Sequence, residues 1–194
     1  MKSPAVFLDR DGTINEQMGY INHLSRFVLL PGVAEAIRLL NGEGYLVIVV
    51  SNQSGVARGY FPLELVHRVH QLMDNRLSEE GARVDGIYFC PHYSRGKVAE
   101  YAVSCRCRKP GTGLIERACR DFPIDLTHSF MIGDRITDME FAYRAGLRGI
   151  LVKSGYGRGD LEHQVPKSPF RPAHVAEDLR EAVQWIVRTF PFPA

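Results

Sequence analysis

The sequence predicts an α/β fold, a doubly wound and mainly parallel Rossmann-like sheet with helices on both faces. Two features carry that expectation. Short apolar runs alternate with stretches of helical periodicity along most of the chain. Several of those runs end in a polar group, at Asp9, Ser51 and Asp134, and open parallel sheets bind ligands in the crevice outside the carboxyl ends of their strands. At 194 residues a single domain spanning 1–194 is expected, burying roughly 70% of the unfolded chain's surface.

The elements follow in order. A first strand is expected over 5–9, where AVFL is apolar throughout. The helix over 32–42 begins after Pro31, carries Val33, Ala36, Ile37 and Leu40 on one side, and is stopped by Gly42 and Gly44. A strand over 45–51 leads to a helix over 62–80, whose buried stripe is Leu65, Val66, Val69, Leu72, Met73 and Leu77. His67 and His70 lie beside that stripe and are read as solvated. A strand over 84–89 precedes a polar loop, then a helix over 112–121, in which Cys119 shares a packing face with Ile115 and Phe122. Strands over 129–133 and 148–153 enclose a helix over 136–145. Residues 154–172 hold Gly155, Gly157, Gly159, Pro166, Pro169 and Pro172 and read as an extended loop. A short strand near 174–176 and a helix over 177–190 close the fold, with right-handed crossovers throughout. The gaps between motifs are too short, or too full of elements, for a separate cap domain.

The polar ends of the strands carry the chemistry. Asp9 and Asp11 flank one residue at the end of a buried-type strand, and carboxylates so crowded need a cation or a proton between them. Lys109 precedes a helix in CRCRKPG, and Asp134 ends a strand in SFMIGDRITD with Asp138 one helical turn on. The order DxDGT, Ser, Lys, GDxxxD resembles the haloacid dehalogenase superfamily of aspartate-nucleophile phosphatases, over positions 5 to about 153. In such a site Asp9 attacks phosphorus and carries the phosphoryl group, splitting one hard step into two. A divalent cation must neutralise the two anions, and hard oxygen ligands suit Mg²⁺. Its expected ligands are the Asp9 and Asp134 carboxylates and the Asp11 backbone carbonyl, while Asp138 holds a metal-bound water or Lys109. Asp11 serves as general acid and then as base. Ser51 and Lys109 hold the equatorial phosphate oxygens, and Gly12 permits the tight turn that brings backbone N–H groups to the phosphate.

A second constellation is independent of the first. Cys90, His92, Cys105 and Cys107 form a Cys₃His set of the kind that binds structural Zn²⁺. Its one-residue spacings are tighter than those of zinc fingers, and a disulfide among the clustered thiols is the other reading. A zinc there would order the loop over 90–107 and place Arg108 and Lys109 beside the last ligand.

Zinc combined with the phosphatase motifs narrows the resemblance to two branches of that superfamily, the heptose bisphosphatases and the histidinol phosphatases. SNQSGVARG (51–59) and NEQMGYINHLSRFVLLPGV resemble the heptose branch, whereas histidinol phosphatases usually carry aspartate where Ser54 stands. By that resemblance Gln17, Met18, Gly19 and Tyr20, then Ser51, Asn52, Gln53 and Ser54, then Arg108 and Lys109 contact the substrate. The implied activity is removal of the C7 phosphate of heptose 1,7-bisphosphate, on the way to a nucleotide-activated heptose. Arg58, Arg108 and Lys109 are more cations than one phosphate requires, which suits a bisphosphate. One departure concerns the pocket: after RKP the chain reads GTGL, where the branch commonly has a proline-containing turn. A histidinol or other small-metabolite phosphatase is the alternative, and a non-catalytic zinc-stabilised module is the reading from another class.

Composition limits the partners. Basic and acidic side chains are balanced, 24 against 22, without the basic footprint of a nucleic-acid binder. No apolar stretch approaches about 18 residues and MKSPAVFLDRD lacks a signal-peptide layout. A cytoplasmic monomer acting on a small sugar phosphate, away from membranes, is expected.

Overall fold

Val, Ile and Leu fill the central apolar runs, and these become strands buried on both faces. In the computed structural model, which describes residues 2–191, they are β1 (Ala5–Leu8), β2 (Leu46–Asn52), β3 (Gly86–Cys90), β4 (Phe130–Gly133), β5 (Arg148–Val152) and β6 (His174–Ala176). All neighbours pair in parallel, in the order β3-β2-β1-β4-β5-β6. The order reverses between β1 and β4, and a doubly wound sheet opens its binding crevice at such a point.

Alternation along the strands divides the core into two layers. Val6, Leu8, Val47, Val49, Ile132 and Ile150 face one side, where they pack with α1 (Val33–Gly42), α2 (Leu63–Glu79) and α6 (Leu179–Thr189). Ala5, Phe7, Ile48, Val50 and Met131 face the other, against α3 (Gly113–Asp121) and α4 (Ile136–Ala145). Strands covered on both faces read as continuous apolar runs for this reason. The segment between β1 and α1 buries Ile14, Ile21 and Phe27 in the first layer, so it belongs to the domain and forms no cap.

Two expectations change. Residues 154–172 are not an extended loop throughout: α5 (Gly157–His163) and a 3₁₀ turn over Val165–Lys167 occupy part of them. Glycines conceal α5 in the sequence, and tertiary contacts hold it. Asp160 accepts a 2.7 Å hydrogen bond from the Ile136 N–H at the start of α4, and a Cβ on Gly157 would collide with the Val152 carbonyl. His70, read as solvated, is 6% exposed, whereas His67 is exposed with its ring edge against Phe89. Three residues apart on α2, both rings meet Phe89, but His70 lies deeper toward the sheet and His67 at the solvent edge of that face. Among the described residues no helix is long and apolar enough to cross a membrane.

Candidate active site

Parallel pairing brings the ends of β1 and β4 side by side, and with them Asp9 and Asp134. The Asp9 N–H donates to the Ile132 carbonyl at 2.9 Å, extending the ladder to the catalytic edge. Lys109 lies between two carboxylates, with its Nζ 2.9 Å from Asp9 Oδ1 and 2.7 Å from Asp138 Oδ1. Asn52 at the end of β2 fixes the backbone of that lysine: its Oδ1 accepts from the Lys109 N–H at 3.0 Å and its amide donates to the Lys109 carbonyl at 3.1 Å. Asp138 also accepts from the Arg135 N–H at 3.1 Å. Asp134 accepts from the Tyr156 N–H at 2.8 Å through Oδ2, while its buried Oδ1 has no hydrogen-bond partner. Gly12, at φ +88°, and Gly155 press against the Asp134 carboxylate from two sides, and a Cβ on either would strike it.

The electrostatics follow from burial. Desolvation pushes Asp9 up to about 6, with Lys109 opposing and Asp138 adding to the rise. Asp134 is pushed up to about 8, by burial first and then by Asp9 and Asp138. Burial would lower Lys109, but Asp138 and Asp9 outweigh it and hold the ammonium above its ordinary value. Asp11 goes the other way. Burial would raise it, yet the Arg10 guanidinium and the Asn15, Arg10 and Gln53 hydrogen bonds hold it below the usual carboxylate range.

Asp9, Asp134 and Asp138 offer oxygen atoms within 4.8 Å of one another. When all three buried carboxylates are ionised, the one ammonium of Lys109 leaves two of their charges uncompensated. Buried charge without compensation is costly. Hard oxygen donors, one of them unpartnered, fit a divalent cation. Both Asp138 oxygens are engaged, by Lys109 and by the Arg135 N–H, whereas the Lys109 and Arg10 contacts of Asp9 fall on its Oδ1. Asp9 Oδ2 and Asp134 Oδ1 are therefore the oxygens open to a cation.

The Cys/His set also assembles. Cys90 Sγ lies 3.5 Å from Cys105 Sγ and 3.7 Å from His92 Nδ1, and Cys107 Sγ lies 3.3 Å from both Cys105 Sγ and His92 Nδ1. A tetrahedron with Zn–S bonds of about 2.3 Å has edges of about 3.8 Å, close to these separations. All of these cysteines are free thiols, so the disulfide reading does not hold. Cys119 is also free and packs at the edge of the α3 layer, as expected.

A cleft of about 350 Å³ opens over the carboxylates. Its walls include Gln17, Gly19, Tyr20, Ser51, Asn52, Ser54, Arg108 and Lys109 from the anticipated set, and also Arg58. Met18 and Gln53 are not among its lining. Met18 packs on the core, and Gln53 is 5% exposed, with its amide donating to Ser51 Oγ and Asp11 Oδ2, each at 2.8 Å. Arg135, Thr137 and Tyr156 line the cleft without having been anticipated. The first two stand between Asp134 and Asp138 in GDRITD, where the motif itself could have marked them. Tyr156 arrives from the segment before α5, and no local pattern marked it. Another cavity, of about 400 Å³, lies at the opposite end of the sheet beside Phe130 and Arg148 and shares no residue with the cleft.

A parallel sheet with acidic groups at its switch point, a lysine bridging two of them and a cation-ready carboxylate is the architecture of a haloacid dehalogenase-like hydrolase. A family model for HAD-hydrolase-like proteins matches residues 106–182. The chain is 45% identical over 190 residues, 96% of each chain, to the D-glycero-D-manno-heptose-1,7-bisphosphate 7-phosphatase of Thermosynechococcus vestitus. It is 43% identical to the corresponding phosphatase of Yersinia pestis, over 78% of this chain and 81% of that one. The crystal structure of a D,D-heptose 1,7-bisphosphate phosphatase from B. bronchiseptica, complexed with magnesium and phosphate, matches with a TM-score of 0.83 at 31% identity, over 97% and 99% of the two chains. The chain belongs to this family of heptose bisphosphate phosphatases within the haloacid dehalogenase-like hydrolases.

Protons and a cation compete for Asp9 and Asp134. Their native pKa values, raised to about 6 and about 8, lie above the unfolded value near 3.8. In metal-free protein the stability they contribute is therefore full below about pH 4 and lost as pH rises through 6 to 8. A divalent cation reverses that loss. We expect the rise in Tm on adding millimolar Mg²⁺ to chelator-treated protein to be larger at pH 8.5 than at pH 5. Equal shifts at both pH values would show that the carboxylates are ionised without the cation.

Proposed function

We propose that this protein hydrolyses the C7 phosphate of D-glycero-D-manno-heptose 1,7-bisphosphate in a Mg²⁺-dependent reaction and retains the C1 phosphate. The observation that supports it most is the Lys109 ammonium bridging Asp9 and Asp138 beside the unpartnered Oδ1 of Asp134.

Asp9 is the nucleophile. Its carboxylate forms a bond to phosphorus as the bond from phosphorus to the C7 oxygen breaks, and the product is an aspartyl phosphate. Asp11 gives its proton to the departing alkoxide, then takes one from the water that attacks the aspartyl phosphate, so Asp9 and Asp11 return to their starting states. The Lys109 ammonium holds Asp9 in place, and together with the Ser51 hydroxyl it receives the equatorial oxygens as charge spreads over them. Asp9, Asp134 and the Asp11 carbonyl would hold Mg²⁺, which would supply the charge that lets a carboxylate meet a phosphate dianion.

Cys90, His92, Cys105 and Cys107 would hold a structural Zn²⁺. Cys107 is two residues from Lys109, so the zinc loop fixes the approach of the catalytic ammonium without taking part in the reaction. Arg58 and Arg108 account for the bisphosphate. Both guanidinium groups lie against Tyr93, at 3.8 and 5.4 Å from its ring centroid, and the buried Arg58 Nε has no hydrogen-bond partner. Both line the cleft, and among the described residues neither is tied up in an ion pair with a carboxylate, so these arginines are available for a second dianion. Histidinol phosphate has no second phosphate for them to hold.

Three measurements test this reading. Asp9→Asn should lower kcat more than about a thousandfold, roughly 4 kcal/mol of barrier, while its unfolding transition stays cooperative; a loss under about tenfold would remove Asp9 from the role of nucleophile. Protein purified without added metal should hold about one zinc per chain, and Cys107→Ser should lower both Tm and phosphate affinity. Zinc-free wild type, or a variant that keeps both properties, overturns the structural-zinc assignment. Arg108→Ala should reduce kcat/KM for the bisphosphate at least tenfold more than for a sugar monophosphate, with ³¹P NMR reporting which phosphate leaves. Equal losses, or a wild-type kcat/KM for histidinol phosphate as high as that for the heptose, would favour the histidinol branch.

A further inference from the structure

Arg10 is an anomaly beside a catalytic edge. It follows the nucleophile in a loop, where a side chain of that length ordinarily reaches solvent, yet it is 2% exposed. The guanidinium is turned inward onto Asp11. Its Nη2 donates to Asp11 Oδ1 at 2.9 Å and Oδ2 at 2.8 Å, and its Nε lies 3.3 Å from Oδ1. The remaining arm, Nη1, lies 3.2 Å from Nε2 of His70, sixty positions along the chain on α2. Arginine carries only donors, so His70 Nε2 is the acceptor and the imidazole proton is on Nδ1. Burial and the Arg10 charge hold His70 neutral, down to about 3, and the ring is wedged edge-on against Phe89 of β3, with centroids 5.2 Å apart.

Asp11 is thus gripped from two directions. Arg10 reaches it from the α2 side, and Gln53 donates to its Oδ2 at 2.8 Å from the end of β2, while the same amide donates to Ser51 Oγ. Asn15 adds a bond to Oδ1 at 3.0 Å. The Asp11 side chain keeps 22% of its surface exposed and lines the cleft. Proton transfer demands a group held within hydrogen-bond reach of the leaving oxygen, and a carboxylate on a loop has no such rigidity of its own. A helix packed on the core does.

We propose that His70 is a positioning residue for the hydrolysis: through Arg10 it anchors the Asp11 carboxylate to α2 and fixes the direction from which the leaving oxygen is protonated. Nothing else in the mechanism uses this buried imidazole. The inference rests on Asp11 as the proton donor and extends it to a residue far from the cleft in sequence.

The dependence on leaving group tests it. A sugar alkoxide needs a proton to depart, whereas p-nitrophenolate leaves well without one. The ratio kcat/KM covers every step up to departure of the leaving group and excludes the later hydrolysis of the aspartyl phosphate. His70→Leu removes the acceptor, and His70→Gln can offer an amide oxygen near the place of Nε2. Both spare the Arg10–Asp11 pair, whose loss would endanger folding. The expected result for His70→Leu is at least a tenfold fall in kcat/KM for the heptose bisphosphate and less than threefold for p-nitrophenyl phosphate, with His70→Gln recovering most of the difference. A general loosening of the fold would lower both substrates alike, and equal losses or no loss overturn the inference. Asp11→Asn is measured in parallel. If it fails to discriminate between the two substrates, the proton-donor assignment falls and takes the tether with it. If Asp11→Asn discriminates and His70→Leu does not, the tether alone is wrong.

Discussion

Charge compensation at the carboxyl ends of β1 and β4 governs this molecule. Asp9, Asp134 and Asp138 are brought together in the interior with Lys109 as their ammonium. Taken out of water, such a cluster is tolerable only if its charges are paired and hydrogen-bonded. Backbone N–H groups of Arg10, Arg135 and Tyr156 supply part of that compensation, and the unpartnered oxygen of Asp134 marks where the rest is missing. The same deficit that strains the metal-free fold makes it receptive to a divalent cation and then to a phosphate. Stability and catalysis draw here on one electrostatic imbalance.

Long-range bonds put each member of the cluster in place. Asn52 clasps Lys109 across 57 positions of sequence, and the Cys/His set gathers residues from the end of β3 and from the loop just before Lys109. Glycines close the arrangement: Gly12 and Gly155 approach Asp134 where no side chain would fit. The site is consequently shaped by backbone approach and by tethers from the rigid layers, in keeping with the need of phosphoryl transfer for positioning above all else.

Division of labour between the two aspartates near the start of the chain follows from environment. Asp9, desolvated beside other carboxylates, is pushed up, while Asp11, ringed by Arg10, Asn15 and Gln53, is pulled down. The lowered pKa keeps Asp11 ionised, the form the proposed base needs in the second half-reaction. An arriving phosphate dianion favours the protonated form needed for the first, since a like charge nearby disfavours ionisation.

Much of this was legible in the sequence. Continuous apolar runs identified strands buried on both faces, because a parallel sheet between two helical layers leaves neither face for polar residues. Asp9, Asp11, Ser51, Lys109 and Asp134 were readable because each stands at a strand end or a loop-to-helix junction, and the Cys/His set because its ligands are paired locally. Folding decided the rest. The helix α5 was hidden by its own glycines, and Gln53 turned inward to orient Asp11 and Ser51 instead of lining the cleft. Arg135 and Tyr156 joined the cleft wall, the guanidinium lying 4.6 Å from the ring centroid. His70 passed from an apparently solvated position to a buried partner of Arg10. Periodicity and motif spacing report which backbone a stretch can form and where its chemistry emerges. Which side chain meets which across sixty residues is fixed only when the layers pack, since the direction of a side chain at the edge of a buried stripe depends on what the neighbouring element offers it.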